Sequence, residues 1–219
     1  MEEKQKKESL IPFFEPLVDQ MVDQDFGIIE NFLSAQEVEA INELIREDYA
    51  HNRLKKAGVG QGEEHQVNRK IRGDYIRWID PQQARPPVKL FLERIYELMH
   101  YINRTCFLSL KEVETHLTVY PEGTFYRRHL DQFKADDHRK LTFICYLNQN
   151  WHPAAGGQLR LYLPGEKGNE EIIDVAPTAG KLVCFKSDVL EHEVLVTHQE
   201  RWSITGWMLT QPPALSFLP

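Results

Sequence analysis

Within Tyr126-Arg127-Arg128-His129-Leu130-Asp131, an imidazole and a carboxylate stand two positions apart. Side chains alternate along an extended strand, so His129 and Asp131 project from one face. Such a pair can supply two ligands to a metal ion, and the third must come from another strand. His192 is the best candidate for it. Two histidines and one carboxylate on one side of an ion leave its other positions open. That suits non-haem Fe(II), where a cosubstrate and O2 must both bind. A His-x-Asp triplet alone is a weak signal, because an exposed polar pair at a loop edge looks the same.

Arg201 changes the odds. Arg201, Ser203, Thr205 and Trp207 share one face of a predicted strand. An arginine facing the interior of a β structure is costly unless an anion pairs with it. A dicarboxylate cosubstrate would be that anion, chelating iron at one end and meeting the planar guanidinium at the other. The competing reading puts Arg201 at a solvated strand end or against a protein carboxylate.

The elements that must position these groups come in two kinds. Ser34 to Asp48 has helical spacing at Val38, Ile41, Leu44 and Ile45, with Ser34 and Glu37 forming a capping box. A second helix begins at Pro86-Pro87 and buries Leu90, Phe91, Ile95, Leu98 and Met99. Between them Ala57–His65 is rich in glycine, either a surface loop or a cover for the substrate. From His116 onward the sequence reads as short strands: 116–120, 125–130, 140–147, 158–163, 171–175, 181–185, 192–196 and 201–209, with Gly- and Pro-rich breaks. The fold expected is mainly β with supporting helices (α+β): a double-stranded β-helix, jelly-roll-like, with N-terminal helices packed on it. One domain is expected over residues 1–219, helical to about residue 105 and β-helical from about 115 to 210.

Hydrophobic residues at 42% and charged residues at 27% are those of a globular chain. A formal net charge of −7 argues against a nucleic-acid partner, which would favour a basic surplus. No apolar run is long enough for a bilayer, so no membrane role is expected. The charged N-terminus and three cysteines without pairing-like spacing point to a reduced, cytoplasmic protein.

The whole pattern resembles the 2-oxoglutarate oxygenases, specifically the prolyl hydroxylases that modify hypoxia-inducible factor and their bacterial relatives. The matching stretches are Ile71-Arg72-Gly73-Asp74, Trp78-Ile79, Tyr120-Pro121, Tyr126, His129-x-Asp131, Tyr146-Leu147-Asn148, Trp151, Gly156-Gly157, His192-Glu193-Val194 and Arg201-x4-Gly206-Trp207. The resemblance implies that His129, Asp131 and His192 bind Fe(II) and that Arg201 binds the far carboxylate of 2-oxoglutarate. It also implies that Tyr146 assists Arg201, with Tyr120, Thr142 and Trp207 around the cosubstrate. Thr142, Ile144 and Tyr146 share a strand face, and a buried phenol there needs a polar partner. Arg72, Asp74, Trp78, Arg139 and Tyr126 are the implied substrate contacts, against plainer readings as a turn, a solvated strand start and packing aromatics. O2 is the second cosubstrate, and ascorbate is an expected auxiliary reductant. The implied reaction hydroxylates C4 of a proline in a protein; the target is open, a translation factor or a regulator being among the candidates.

Neighbouring activities fit less well. Halogenases lack the acidic ligand, whereas Asp131 is present; the nucleic-acid demethylase branch carries an arginine where Trp207 stands; Jumonji enzymes use lysine in the role of Arg201. A small-molecule or free amino-acid hydroxylase is the enzymatic runner-up, and a non-catalytic 2-oxoglutarate or O2 sensor the non-enzymatic one. Two departures bear on the substrate: the stretch from Tyr120 to His129 is one residue shorter than in the hypoxia-factor enzymes, and the segment around 58–66 shares little with the animal ones.

Overall fold

The computed structural model describes residues 11–58, 68–132, 137–165 and 168–211. Most of the glycine-rich segment lies outside the described residues; Ala57 and Gly58 lie within them. In chain order the elements are α1 (Ile11–Gln24), β1 (Phe26–Ile29), α2 (Ala35–Ala50), β2 (Lys55–Lys56), β3 (Tyr75–Trp78), α3 (Pro86–Cys106), β4 (Glu112–Tyr120), β5 (Tyr126–His129), β6 (Arg139–Tyr146), β7 (Leu159–Pro164), β8 (Glu170–Val175), β9 (Leu182–Lys186), β10 (Glu191–Val194) and β11 (Arg201–Leu209). A seven-stranded sheet runs β1-β9-β6-β11-β4-β3-β2 and a four-stranded sheet runs β5-β10-β7-β8. Their strand pairs are antiparallel.

The eight expected strands are present, most with their ends moved by one or two residues. The front of the chain is not purely helical: β1, β2 and β3 extend the large sheet at both edges. α1 was also unexpected, because Pro16 lies inside it and removes a backbone donor. Its stripe of Phe14, Leu17, Val18 and Met21 is buried nonetheless. The capping box forms, Ser34 Oγ accepting from Glu37 N–H and Glu37 Oε2 accepting from Ser34 N–H at 2.8 Å. In α3, Leu90 is only half-buried, and Val88, Leu92 and Ile102 join the packed face instead.

Alternation along the large sheet divides two cores. Leu141, Phe143, Cys145, Leu182, Cys184, Ile204 and Met208 pack against the three helices. Full burial of side chains such as Phe91, Ile95 and Phe143 contributes about 2 kcal/mol each. The opposite face turns toward the small sheet, where Ile144, Tyr146, Val183 and Phe185 meet Leu159, Leu161 and Leu163. The remainder of that inward face, on β4 and β11, is left to line a cavity.

β3 is held from behind. Asp48, fully buried at the end of α2, pairs with Arg53 (3.2 Å), with Arg77 of β3 and with Arg85 (3.0 Å) before α3. One carboxylate thereby ties two helices to the strand whose other face carries Ile76 and Trp78 toward the cavity.

Candidate active site

A cavity of about 320 Å³ opens between the sheets. β5 and β10 bring the first two candidate ligands together, because His129 and His192 are direct cross-strand partners. Their ring centroids lie 4.3 Å apart. Asp131 follows two residues after His129, with Oδ1 3.4 Å from His129 Nε2 and Oδ2 3.5 Å from His192 Nε2. One ligand atom from each residue lies within 4.8 Å of the others.

The hydrogen bonding around this cluster fits a cation. His129 Nδ1 sits 2.7 Å from the Arg127 carbonyl and His192 Nδ1 3.2 Å from the Leu190 carbonyl. A carbonyl only accepts, so each ring donates from Nδ1 there, and Nε2 is the atom turned toward Asp131. Metal-binding histidines are oriented in this way by backbone carbonyls. Burial depresses His192 to about 4, and His129 adds to the effect. Burial opposes ionisation of Asp131, yet His192 and His129 more than offset it and hold the group well below the usual carboxylate range. Two imidazole lone pairs and a carboxylate facing one point is a donor set for a divalent ion such as Fe(II).

Deeper in, Arg201 is 3% exposed and opposes Tyr120 across the β11–β4 ladder. Its guanidinium lies 5.0 Å from the ring centroids of both Tyr120 and Tyr146. Nε donates to the Gly157 carbonyl at 2.8 Å, whereas Nη2 and the Tyr146 hydroxyl are buried with no hydrogen-bond partner among the described residues. Burial pushes the Tyr146 phenol up to about 12, with Arg201 pulling the other way. Arg201 and Tyr120 line the cavity, and the Tyr146 ring adjoins the Arg201 guanidinium. Gly157, at φ +71°, makes room: a Cβ there would come within 3.0 Å of Arg201 Cδ.

Thr142 is placed elsewhere than on the cavity wall: its hydroxyl donates to Asp131 Oδ2 at 2.8 Å. Trp207 lines the cavity, with the Arg139 guanidinium 3.7 Å over its ring. Arg139 also pairs with Glu114 at 3.1 Å. Arg72 forms a two-pronged pair with Asp74, Nε to Oδ1 being 2.8 Å, and lies 4.2 Å over Tyr126. Tyr126 in turn stacks on His129 at 3.7 Å. Asp74, only 1% exposed, lies behind the wall, while Arg72, Tyr126, Trp78 and Arg139 line it.

Several lining or supporting residues carried no sequence expectation. His116 is wedged between Trp78 (centroids 4.9 Å) and Trp207 (5.5 Å), with Nδ1 2.8 Å from the Thr118 hydroxyl. The period-two pattern of His116, Thr118 and Tyr120 along β4 was the available signal. Two of the matching motif residues are structural staples: Asn148 donates to the Pro177 carbonyl at 2.7 Å, and Trp151 donates to that of Gly156 at 2.9 Å.

A family model described as the 2OG-Fe(II) oxygenase superfamily matches residues 115–209. The human protein Prolyl hydroxylase EGLN3 is 30% identical over 188 residues, covering 83% of this chain and 77% of that protein. The chain belongs to the prolyl hydroxylases of this superfamily. A crystal structure of a Pseudomonas putida prolyl-4-hydroxylase is 39% identical with a TM-score of 0.79, covering 91% of this chain and 100% of that one. A prolyl hydroxylase from Trichoplax adhaerens, solved with a hypoxia inducible factor oxygen degradation domain peptide fragment, gives 26% and 0.82 over 96% and 94% of the two chains. The double-stranded β-helix is the fold of this prolyl hydroxylase, which is a 2-oxoglutarate-dependent dioxygenase using Fe(II) and O2. No described helix is long and apolar enough to cross a membrane.

Proposed function

We propose that this prolyl hydroxylase oxidises C4 of a prolyl residue presented by a protein, with His129, Asp131 and His192 holding Fe(II) and Arg201 with Tyr146 holding the far carboxylate of 2-oxoglutarate. The carrying observation is the buried pair of unsatisfied donors, Arg201 Nη2 and Tyr146 hydroxyl, at the deep end of the cavity. Buried donors without partners are costly, and a carboxylate satisfies both at once. When bound, Fe(II) with 2-oxoglutarate and O2 supplies the oxidising power: 2-oxoglutarate leaves as succinate and CO2, and one oxygen atom enters the C–H bond.

The residues of the chain position the reactants. Arg201 and Tyr146 fix the depth of the cosubstrate, so that its other end reaches the triad. The Trp78–His116–Trp207 wall offers a ring-shaped substrate an apolar, aromatic surface and limits water near the reacting carbon. A proline ring has no charge to satisfy, and the cationic groups at this wall, Arg72 and Arg139, already have carboxylate partners. The protein relative solved with a peptide supports a polypeptide substrate over a free amino acid.

The test incubates the protein with extract of its source organism, Fe(II), 2-oxoglutarate and O2, and maps peptides by mass spectrometry. A gain of one oxygen on a proline, absent when 2-oxoglutarate is omitted, is the expected result. Oxidation confined to free metabolites or to another residue type would sink the protein-prolyl reading.

A further inference from the structure

We infer that Thr142 and Ser187 form a hydroxyl relay that orients Asp131 for the metal, engaging Oδ2 and leaving Oδ1 for the ion. The inference rests on the metal assignment proposed above. β5 ends at His129, so Asp131 lies beyond the strand ladder that fixes the two histidines. Something other than strand pairing must set its rotation. Thr142 Oγ1 lies 2.8 Å from Asp131 Oδ2 and 2.9 Å from Ser187 Oγ, and Thr142 and Ser187 are fully buried. An ionised carboxylate only accepts, so the single Thr142 hydroxyl proton goes to Asp131. The 2.9 Å contact is then a bond from the Ser187 hydroxyl to Thr142. Protons therefore run in one direction, from serine through threonine to the carboxylate.

The backbone anchors the far end. Ser187 N–H donates to the Lys140 carbonyl at 3.0 Å, and its carbonyl accepts from Gln132 N–H at 3.2 Å. Ser187 is thus tied both to β6, which carries Thr142, and to the residue after Asp131. The relay spans three segments and converges on one carboxylate oxygen. A carboxylate free to rotate could bind an ion through both oxygens and use up a position that the cosubstrates need. With Oδ2 engaged by Thr142, Asp131 offers one.

Thr142 and Ser187 are positioning residues, and metal affinity reads their role without turnover. Co(II) alone serves as the probe, titrated into the purified full chain against a competing chelator. Thr142→Val keeps the shape and removes the hydroxyl; loss of such an outer partner is expected to weaken Co(II) binding by about 10- to 100-fold. Thr142→Ser keeps the hydroxyl and is expected to stay within about threefold of the parent. Ser187→Ala is expected to lose roughly three- to tenfold in the parent and nothing further in the Thr142→Val background, because the two act in series. Folded Thr142→Val protein that binds Co(II) like the parent would overturn the relay, as would Thr142→Ser failing as badly as valine. Should Thr142→Val not fold, Ser187→Ala decides alone: unchanged affinity overturns the relay. A parent that binds no Co(II) overturns the metal assignment and the relay with it, an outcome distinct from a binding parent with indifferent variants.

Discussion

At the deep end of the cavity, Arg201 and Tyr146 are buried with donors unsatisfied, whereas at the mouth Arg72 and Arg139 are each matched by a carboxylate of the same chain. Both ends are built from arginines beside aromatic rings, with opposite electrostatics. An unsatisfied buried cation is a site prepared for an external anion, and it weakens the empty protein. A satisfied one is part of the wall: it stacks on Tyr126 or Trp207 and sets shape. On the proposed reading, the deep end selects by charge and the mouth by fit.

The largest effect expected concerns the proposed triad of His129, Asp131 and His192. His129→Ala or Asp131→Ala should abolish Fe(II)-dependent conversion of 2-oxoglutarate to succinate, measured directly as succinate formed; retained turnover would reject the triad. Next, Arg201→Ala should raise the KM for 2-oxoglutarate by about two orders of magnitude, the cost of removing one partner of a buried charge pair. Co(II) affinity should change little, and the melting temperature of the empty protein should hold or rise. Arg72→Ala should do the reverse. It strands Asp74 and should cost about 3 kcal/mol of stability in denaturant titration, while the KM for 2-oxoglutarate moves little. If both arginine variants destabilise the empty protein equally, the contrast between the two ends is wrong.

A smaller effect comes from His116. Burial comes first among the causes that depress it to about 3, with Arg72 adding to it, so the folded protein keeps this imidazole neutral. The unfolded chain takes up its proton near pH 6.5. Between those values the unfolded state binds more protons, so stability falls as pH drops from about 6.5 toward 3. His116→Leu should make that acid limb shallower in urea melts across the range. An unchanged slope would mean that other groups carry it. Gly157→Ala should be the mildest: crowding of Arg201 Cδ should raise the KM for 2-oxoglutarate severalfold, with kcat nearly kept.

How much of this was legible beforehand follows the range of each interaction. β11 could be read to the residue because its alternating face of Arg201, Ser203, Thr205 and Trp207 stands out against Ile204 and Met208 on the other, although both faces are buried. The grouping of His129, Asp131 and His192 and the burial of Arg201 were expected because few residue types could do the chemistry proposed for them. α1 was hidden by Pro16, and β1 and β3 are too short to show a period, each being 4 residues long. Thr142 shows the limit most clearly. The strand face was right, but its partner, Asp131, lies on the segment after β5 of the other sheet, and resemblance had put it with the cosubstrate. Ser187, Glu114 and Asp48 are ordinary polar letters until tertiary packing buries them.

The direct pairing of His129 with His192 has a further consequence. A slip of one residue between β5 and β10 would turn one imidazole to the outer face of the sheet. Only chains that have closed this ladder in the right frame present both rings to one point. An ion held by the proposed triad would therefore favour correctly registered molecules by mass action.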